Sequence, residues 1–216
     1  MRIVVAGGHG QIALRVERQL AGAGHEVVGI VRNPDHVDDV RATGAEALVL
    51  DLEAAAVHDV AGHLDAADAV LFAAGAGPGS GVARKDSVDR GASALLADAA
   101  EQAGVDRFVQ ISSMGAGAPP PPGTDETFAA YLAAKTAAED DLRDRDLTWT
   151  VVRPGGLTDD PGTGRVQLAP SVPRGRISRD DVATVLTALL TEEHAAHKTL
   201  ELVGGDTPIG EALAHL

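Results

Sequence analysis

Two groups of residues in this chain have the types and spacing to do chemistry. The first lies near the N-terminus, where Gly8-x-Gly10-x-x-Ala13 overlaps a second pattern, Gly7-x-x-Gly10-x-x-Ala13. Glycine allows positive φ and lets backbone approach a bulky anion with no Cβ in the way. A helix that opens directly after such a turn offers its N-terminal amides to a diphosphate. The spacing fits the dinucleotide-binding fingerprint in its Ala-ended form. A tight strand-to-helix turn without a ligand would use the same glycines. The second group is Tyr131-Leu-Ala-Ala-Lys135. At i and i+4 the two side chains share one helix face, and a strand end carrying Ser112 and Ser113 precedes them. An ammonium beside a phenol favours the phenolate, which lets a group of ordinary pKa about 10 exchange protons near neutrality. A serine beside it would hold a carbonyl or hydroxyl oxygen. The plain alternative is a core tyrosine and a solvated lysine. Against it, Tyr131 is the only tyrosine, and the chain has three lysines, Lys85, Lys135 and Lys198.

The elements that must position these residues follow from the alternation of apolar runs with amphipathic segments. Strands are expected at 2–6, 26–31, 45–50, 69–73, 107–112, 148–153 and 199–203, and helices at 11–22, 34–42, 54–62, 86–103, 125–145, 179–192 and 208–214. In the first helix Ile12, Leu14, Val16 and Leu20 mark the apolar positions. Such alternation predicts an α/β fold of Rossmann type, a doubly wound, mostly parallel sheet with helices on both faces. The chain length suits one domain, residues 1–216, with a small substrate-side lobe from about 154–177 and the C-terminal segment.

Several strand ends then acquire candidate roles. The second ends at Arg32-Asn33-Pro34, where a binder of the unphosphorylated cofactor usually has an acid for the ribose 2′-hydroxyl. Arg32 would instead pair with a 2′-phosphate, or be a solvated arginine, and NADP(H) is preferred over NAD(H) on that ground. The third ends at Asp51-Leu52, near an adenine or as the N-cap of a helix starting near Glu53. Ala73, Ala74 and Gly75 end the fourth beside the cofactor crevice, and 76–85 is a candidate mobile loop. The helix at 86–103 reads as packing only, its Asp and Arg on a solvated face. Arg153 is read as a salt bridge or an anchor for an anionic substrate group. GTGRVQLAPS, 162–171, looks like a small extended excursion, and Ser178 caps the helix after it. His9 sits in the glycine loop and either touches ligand or is an ordinary polar loop residue. His194 and His197 lack a third ligand, so no metal site is expected.

Composition bounds the partners. An apolar fraction of 44% supports a core, yet only 2% of residues are aromatic, too few to stack single-stranded bases. A net charge of -14 argues against nucleic acid and anionic membranes. The absence of cysteine excludes disulfides and thiolate chemistry. With no signal peptide or membrane-length apolar run, a soluble cytoplasmic protein is expected, monomer or homodimer, acting on a small molecule.

On VVAGGHGQIA, VRNP, RFVQISSMGA, YLAAK, TVVRPGGLTDDPGTG and ISRDDVA, nearly the whole chain resembles the atypical short-chain dehydrogenase/reductases, the NAD(P)H-binding group similar to sugar-epimerase-like and NmrA-like proteins. The resemblance implies Gly7, Gly10 and the amides near Gln11-Ile12 on the diphosphate, Arg32 on the 2′-phosphate and Asp51-Leu52 at the adenine. It implies Tyr131 as acid/base, Lys135 on the ribose and the tyrosine, and Ser113 as the orienting hydroxyl with Ser112 as its alternative. His9, Ala74 and Gly75 would border the cofactor, and Pro154, Gly155 and Leu157 would flank its nicotinamide side. The 63 residues after Arg153 are few for the substrate lobe of extended epimerases. Three functions follow: an NADP(H)-dependent oxidoreductase using Ser113, Tyr131 and Lys135; a non-catalytic NADP(H)-binding regulator or assembly factor; and a flavin or quinone reductase that does not use the tyrosine.

Overall fold

A computed structural model describes residues 1–77, 79–192 and 195–216. In chain order β1 (Arg2–Ala6), α1 (Gln11–Gly22) and β2 (Glu26–Val31) lead to a 3-10 turn (Pro34–His36) and α2 (Val37–Arg41). Next come β3 (Glu46–Val49), α3 (Val57–His63) and β4 (Ala69–Phe72). A single helical rod then comprises α4 (Val82–Arg84), a π-helical turn (Lys85–Ala92) and α5 (Ser93–Ala103). β5 (Arg107–Ile111), α6 (Glu126–Arg143), β6 (Thr148–Pro154), β7 (Gly156–Thr158), β8 (Arg165–Ala169) and β9 (Arg176–Ser178) follow. α7 (Arg179–Thr191), β10 (Lys198–Gly204), β11 (Thr207–Pro208) and α8 (Ile209–Ala214) complete the chain.

Nine strands form one sheet in the order β11-β8-β10-β6-β5-β4-β1-β2-β3. From β10 to β3 every neighbouring pair is parallel. β8 runs antiparallel to β10, and β11 to β8. The strand order reverses at β1, between β2 and β4, which opens a crevice at their C-terminal ends. Successive β1 side chains go to opposite faces, as strand geometry requires. Ile3 and Val5 join the core that contains α1 and α7 residues, and Val4 and Ala6 the core that contains α3 and α5 residues. β7 and β9 pair in a separate two-stranded ribbon beside the ends of β6 and β10, since β7 follows Pro154 almost at once.

The helices depart from the expected pattern in four places. α1 buries Ala13, Val16, Glu17 and Leu20, whereas Ile12 and Leu14 are only half-buried. Glu17 is fully buried, and the absence of side chains at Gly8 and Gly29 makes its room: a Cβ there would lie 2.7 and 2.5 Å from its Oε1. Burial pushes this carboxyl up to about 8, against the Thr43 hydroxyl and Arg18. The 34–42 helix divides into a 3-10 turn and α2, because Pro34 fits only a first turn. α3 starts at Val57 with Ala56 before it, so Asp51 does not cap it; its Oδ1 accepts from the Glu53 amide at 3.0 Å and closes a turn. The 86–103 helix is a correction of substance. It starts at Val82, and its π-turn buries Asp89, expected on the solvated face, together with Lys85. The expected cap Ser178 accepts from the Asp181 amide, and 162–171 contains β8. Among the described residues no helix is long and apolar enough to cross a membrane.

Candidate active site

The first half of the cleft is made largely of backbone. Gly7 turns with φ 81°, and a Cβ there would stand 2.6 Å from the Ala74 Cα, so the turn after β1 rests directly on the chain leaving β4. The Gly7 and Gly8 amides donate to the Ile30 carbonyl at 3.2 and 2.9 Å, and Gly10 donates back to Gly7 at 2.8 Å. Gly10 is the N-cap of α1 with no side-chain cap and no acid in the first turn. The first amides of that helix therefore have no side-chain acceptor among the described residues, and they point the positive end of the helix toward the cavity. A glycine cradle that a Cβ would fill, with uncapped helix amides, is a site that fits a dinucleotide diphosphate.

This half encloses about 610 Å³. Its far end is polar. Arg32 Nη1 donates to Glu53 Oε2 at 2.7 Å, Arg84 Nη2 to the same oxygen at 3.0 Å, and Ser87 Oγ to Glu53 Oε1 at 2.6 Å. The Ser87 hydroxyl and both arginines hold the Glu53 carboxyl below its usual range, despite partial desolvation. His9 stacks on His36 with ring centres 3.6 Å apart and places Nε2 2.8 Å from Asp39 Oδ2, so α2 and the turn before it hold it in place.

The second half, about 570 Å³, is made of side chains and shares Ala73, Ala74, Gly75 and Gly77 with the first. Tyr131 is half-buried there. The Nζ atoms of Lys85 and Lys135 lie 5.4 and 5.8 Å from its ring centre. Lys135 Nζ donates to the Ile111 carbonyl at 3.1 Å and lies 3.2 Å from Asp89 Oδ1. Asp89 Oδ2 accepts from the Ala76 amide at 3.2 Å, and Lys85 Nζ donates to the Gly77 carbonyl at 2.9 Å. The π-turn thus grips the chain leaving β4 at two successive residues.

The two serines at the end of β5 differ. Ser112 Oγ donates to Glu139 Oε1 at 2.5 Å. Fully buried, Glu139 also accepts from Arg153 Nε and Nη2 at 2.9 and 2.5 Å and from Arg143 Nη2 at 2.6 Å. Arg153 is therefore in a salt bridge, and Glu139 holds its guanidinium above the ordinary value against desolvation. The Ser113 hydroxyl has no partner among the described residues and lines the cavity. Phe128 stacks on Tyr131 at 5.9 Å and 28°.

The structure brings Gly7, His9, Gly10, Gln11, Arg32, Asp51, Leu52, Ala74 and Gly75 to the first half, and Ser113, Tyr131, Lys135, Pro154, Gly155 and Leu157 to the second. Ile12 is the exception. Its side chain packs on the core, leaving only its amide at the cradle. The sequence reading missed Glu53, Arg84, Lys85, Ser87, Asp89 and Phe128. The one signal for Lys85 and Asp89 was their i,i+4 spacing and the scarcity of lysine. The segment 76–85, expected as a mobile loop, is helical from Val82 on and is held at Ala76 and Gly77 by Asp89 and Lys85; Pro78 lies outside the described residues. So does His194; His197 contacts the Leu147 carbonyl at 3.0 Å. Among the described residues no group of three or more potential ligands is placed to hold a metal.

A family model described as NAD(P)H-binding matches residues 7–193. The uncharacterized sugar epimerase YhfK of Bacillus subtilis is 36% identical over 217 residues, covering 100% of both chains. A solved structure from Bacillus halodurans, named as a candidate NAD-dependent epimerase/dehydratase, shares 35% identity, a TM-score of 0.91 and 100% coverage of both chains. The oxidoreductase ylbE of Lactococcus lactis shares 25% identity and a TM-score of 0.87, covering 100% of this chain and 96% of its own.

Proposed function

We propose that this chain, which belongs to the NAD(P)H-binding family, is an NADP(H)-dependent oxidoreductase of the short-chain dehydrogenase/reductase type, acting on a small carbonyl or hydroxyl substrate. The observation that carries the reading is the continuity of the cleft. A glycine cradle with two arginines occupies one end, Tyr131 with two lysines the other, and Ala73–Gly75 with Gly77 line both. A bound nicotinamide would supply or accept the hydride.

The chain's own residues supply binding and the proton. Gly7, Gly10 and the Gln11 and Ile12 amides would hold the diphosphate, with Asp51 and Leu52 beside the adenine and Pro154, Gly155 and Leu157 at the nicotinamide. Arg32 and Arg84 would turn from Glu53 to a 2′-phosphate, and two cations facing one carboxylate support NADP(H) over NAD(H). In reduction Tyr131 donates its phenolic proton to the substrate oxygen while Ser113 donates a hydrogen bond to the same atom. The ammonium groups of Lys135 and Lys85 offset the charge left on the phenolate.

Tyr131→Phe tests this. Carbonyl turnover should fall about 10²–10⁴-fold with NADPH binding retained. Undiminished turnover of every accepted carbonyl would contradict the role. A second reading, direct hydride transfer to a flavin or quinone, draws support from the Lys135–Asp89 pair, which ties that lysine elsewhere, and from the open Phe128 ring. On that reading Tyr131→Phe reduces quinones as fast as the parent.

A further inference from the structure

The second half of the cleft has a charge and a shape that together point to a ligand. In a chain of net charge -14, two of three lysines are buried around Tyr131, and their charges are not equivalent. Lys135 has a carboxylate at 3.2 Å in Asp89. Lys85 is 9% exposed and has the Gly77 carbonyl, but it pairs with no carboxylate among the described residues. Asp125 also lines this half, but it is exposed and its carboxylate accepts from the Phe128 amide at 3.1 Å as the cap of α6. The inner wall is therefore left with one surplus ammonium, and a desolvated ammonium favours an anionic partner.

The lining is apolar and in part open. Phe128 and Leu157 are 48% and 38% exposed, and both line this half. Phe128 stacks on the Tyr131 ring with the two planes 28° apart, so an aromatic face is left open to the cavity. Ala73, Ala74 and Gly75 line the same half and leave it room. An open aromatic face of this kind takes planar ligands by stacking and area burial.

We propose that this half binds a planar conjugated acid, an aromatic or quinonoid ring carrying a carboxylate, with the ring against Phe128 and Tyr131 and the acid on Lys85 Nζ. This deepens the functional reading above and rests on it only in assigning the other half to the cofactor.

The test is calorimetric titration of the full chain, with and without NADP, using 2-naphthoate and its neutral isostere 2-naphthamide. The parent should bind naphthoate about tenfold more tightly, the scale of one charge-assisted hydrogen bond. Lys85→Met should reduce naphthoate affinity about tenfold more than naphthamide affinity, and Lys85→Arg should restore most of the preference. Phe128→Ala should weaken both ligands alike. Equal affinity of the parent for the two ligands, or binding of neither, would overturn the proposal without recourse to any variant. Parallel losses in Lys85→Met would overturn it too, and would leave Lys85 as an anchor for Gly77. Since the readout is binding, the two proposals fail separately. A Lys85-dependent preference with no turnover of any carbonyl would sink the oxidoreductase and leave this site standing. Tyr131-dependent turnover of neutral carbonyls without the preference would do the reverse.

Discussion

The two halves of the cleft meet at the same short stretch, Ala73 to Gly77, yet they are built by opposite means. The glycine half depends on where backbone atoms lie: a positive-φ glycine, uncapped helix amides and the absence of Cβ atoms at Gly7 and Gly8. Its charged side chains are at least partly exposed. The lysine half depends on buried carboxylates, Asp89 with Lys135 and Glu139 with the partly buried Arg153 and Arg143, drawn from α6, the π-turn and β6. A cradle of backbone is set by a few glycines close in sequence and fails where a Cβ is added. A cluster of buried ions is non-local, and each member leaves another uncompensated when it is lost.

Breaking that contrast should cost most at Glu139. Glu139→Ala removes the acceptor of Ser112 and leaves two guanidinium groups without their buried carboxylate, so stability should fall by about 3–5 kcal/mol in urea unfolding. A loss below about 1 kcal/mol would mean that the cluster behaves like surface charge. Gly7→Ala probes the other half. It combines a left-handed backbone with a Cβ aimed at Ala74, for an expected loss of about 2–4 kcal/mol together with loss of NADPH binding. Retained binding in that variant would show that the cradle is not as tight as its geometry.

Glu17 blurs the contrast, being a buried acid directly behind the glycine turn. Its folded pKa of about 8 stands above the unfolded carboxylate value of 4.5. The folded state therefore binds more protons between these values, and the parent should lose stability as pH rises from about 5 to 8. Glu17→Gln should flatten that slope and be the more stable form above pH 8, by on the order of a few kcal/mol. A parent profile already flat across this window would mean that the carboxyl is ionised and paired.

The same contrast explains what was legible in the sequence. The glycine turn, Arg32 and all seven parallel strands could be read because each is a run or spacing within a few residues. YLAAK could be read for the same reason. Asp89 was assigned to solvent because nothing nearby reveals its partner Lys135, which arrives on α6 after β5 has crossed the sheet. Glu53 is not legible as the acid near Arg32, because it comes from beyond β3 and not from the end of β2. Glu17 looked like a polar neighbour in an amphipathic helix, and only the glycine-lined space opposite it shows why it can be buried. β7 and β9, three residues each, are too short for any periodicity and form through each other.

If the glycine half holds a nicotinamide cofactor with Arg32 on its 2′-phosphate, the two reduced nucleotides must bind differently. Calorimetric titration of the parent and Arg32→Ala with NADPH and NADH at one salt concentration tests it most directly. The parent should prefer NADPH by about tenfold, the scale of one charge-assisted contact, and Arg32→Ala should weaken NADPH far more than NADH. Binding of neither nucleotide by the parent would contradict it.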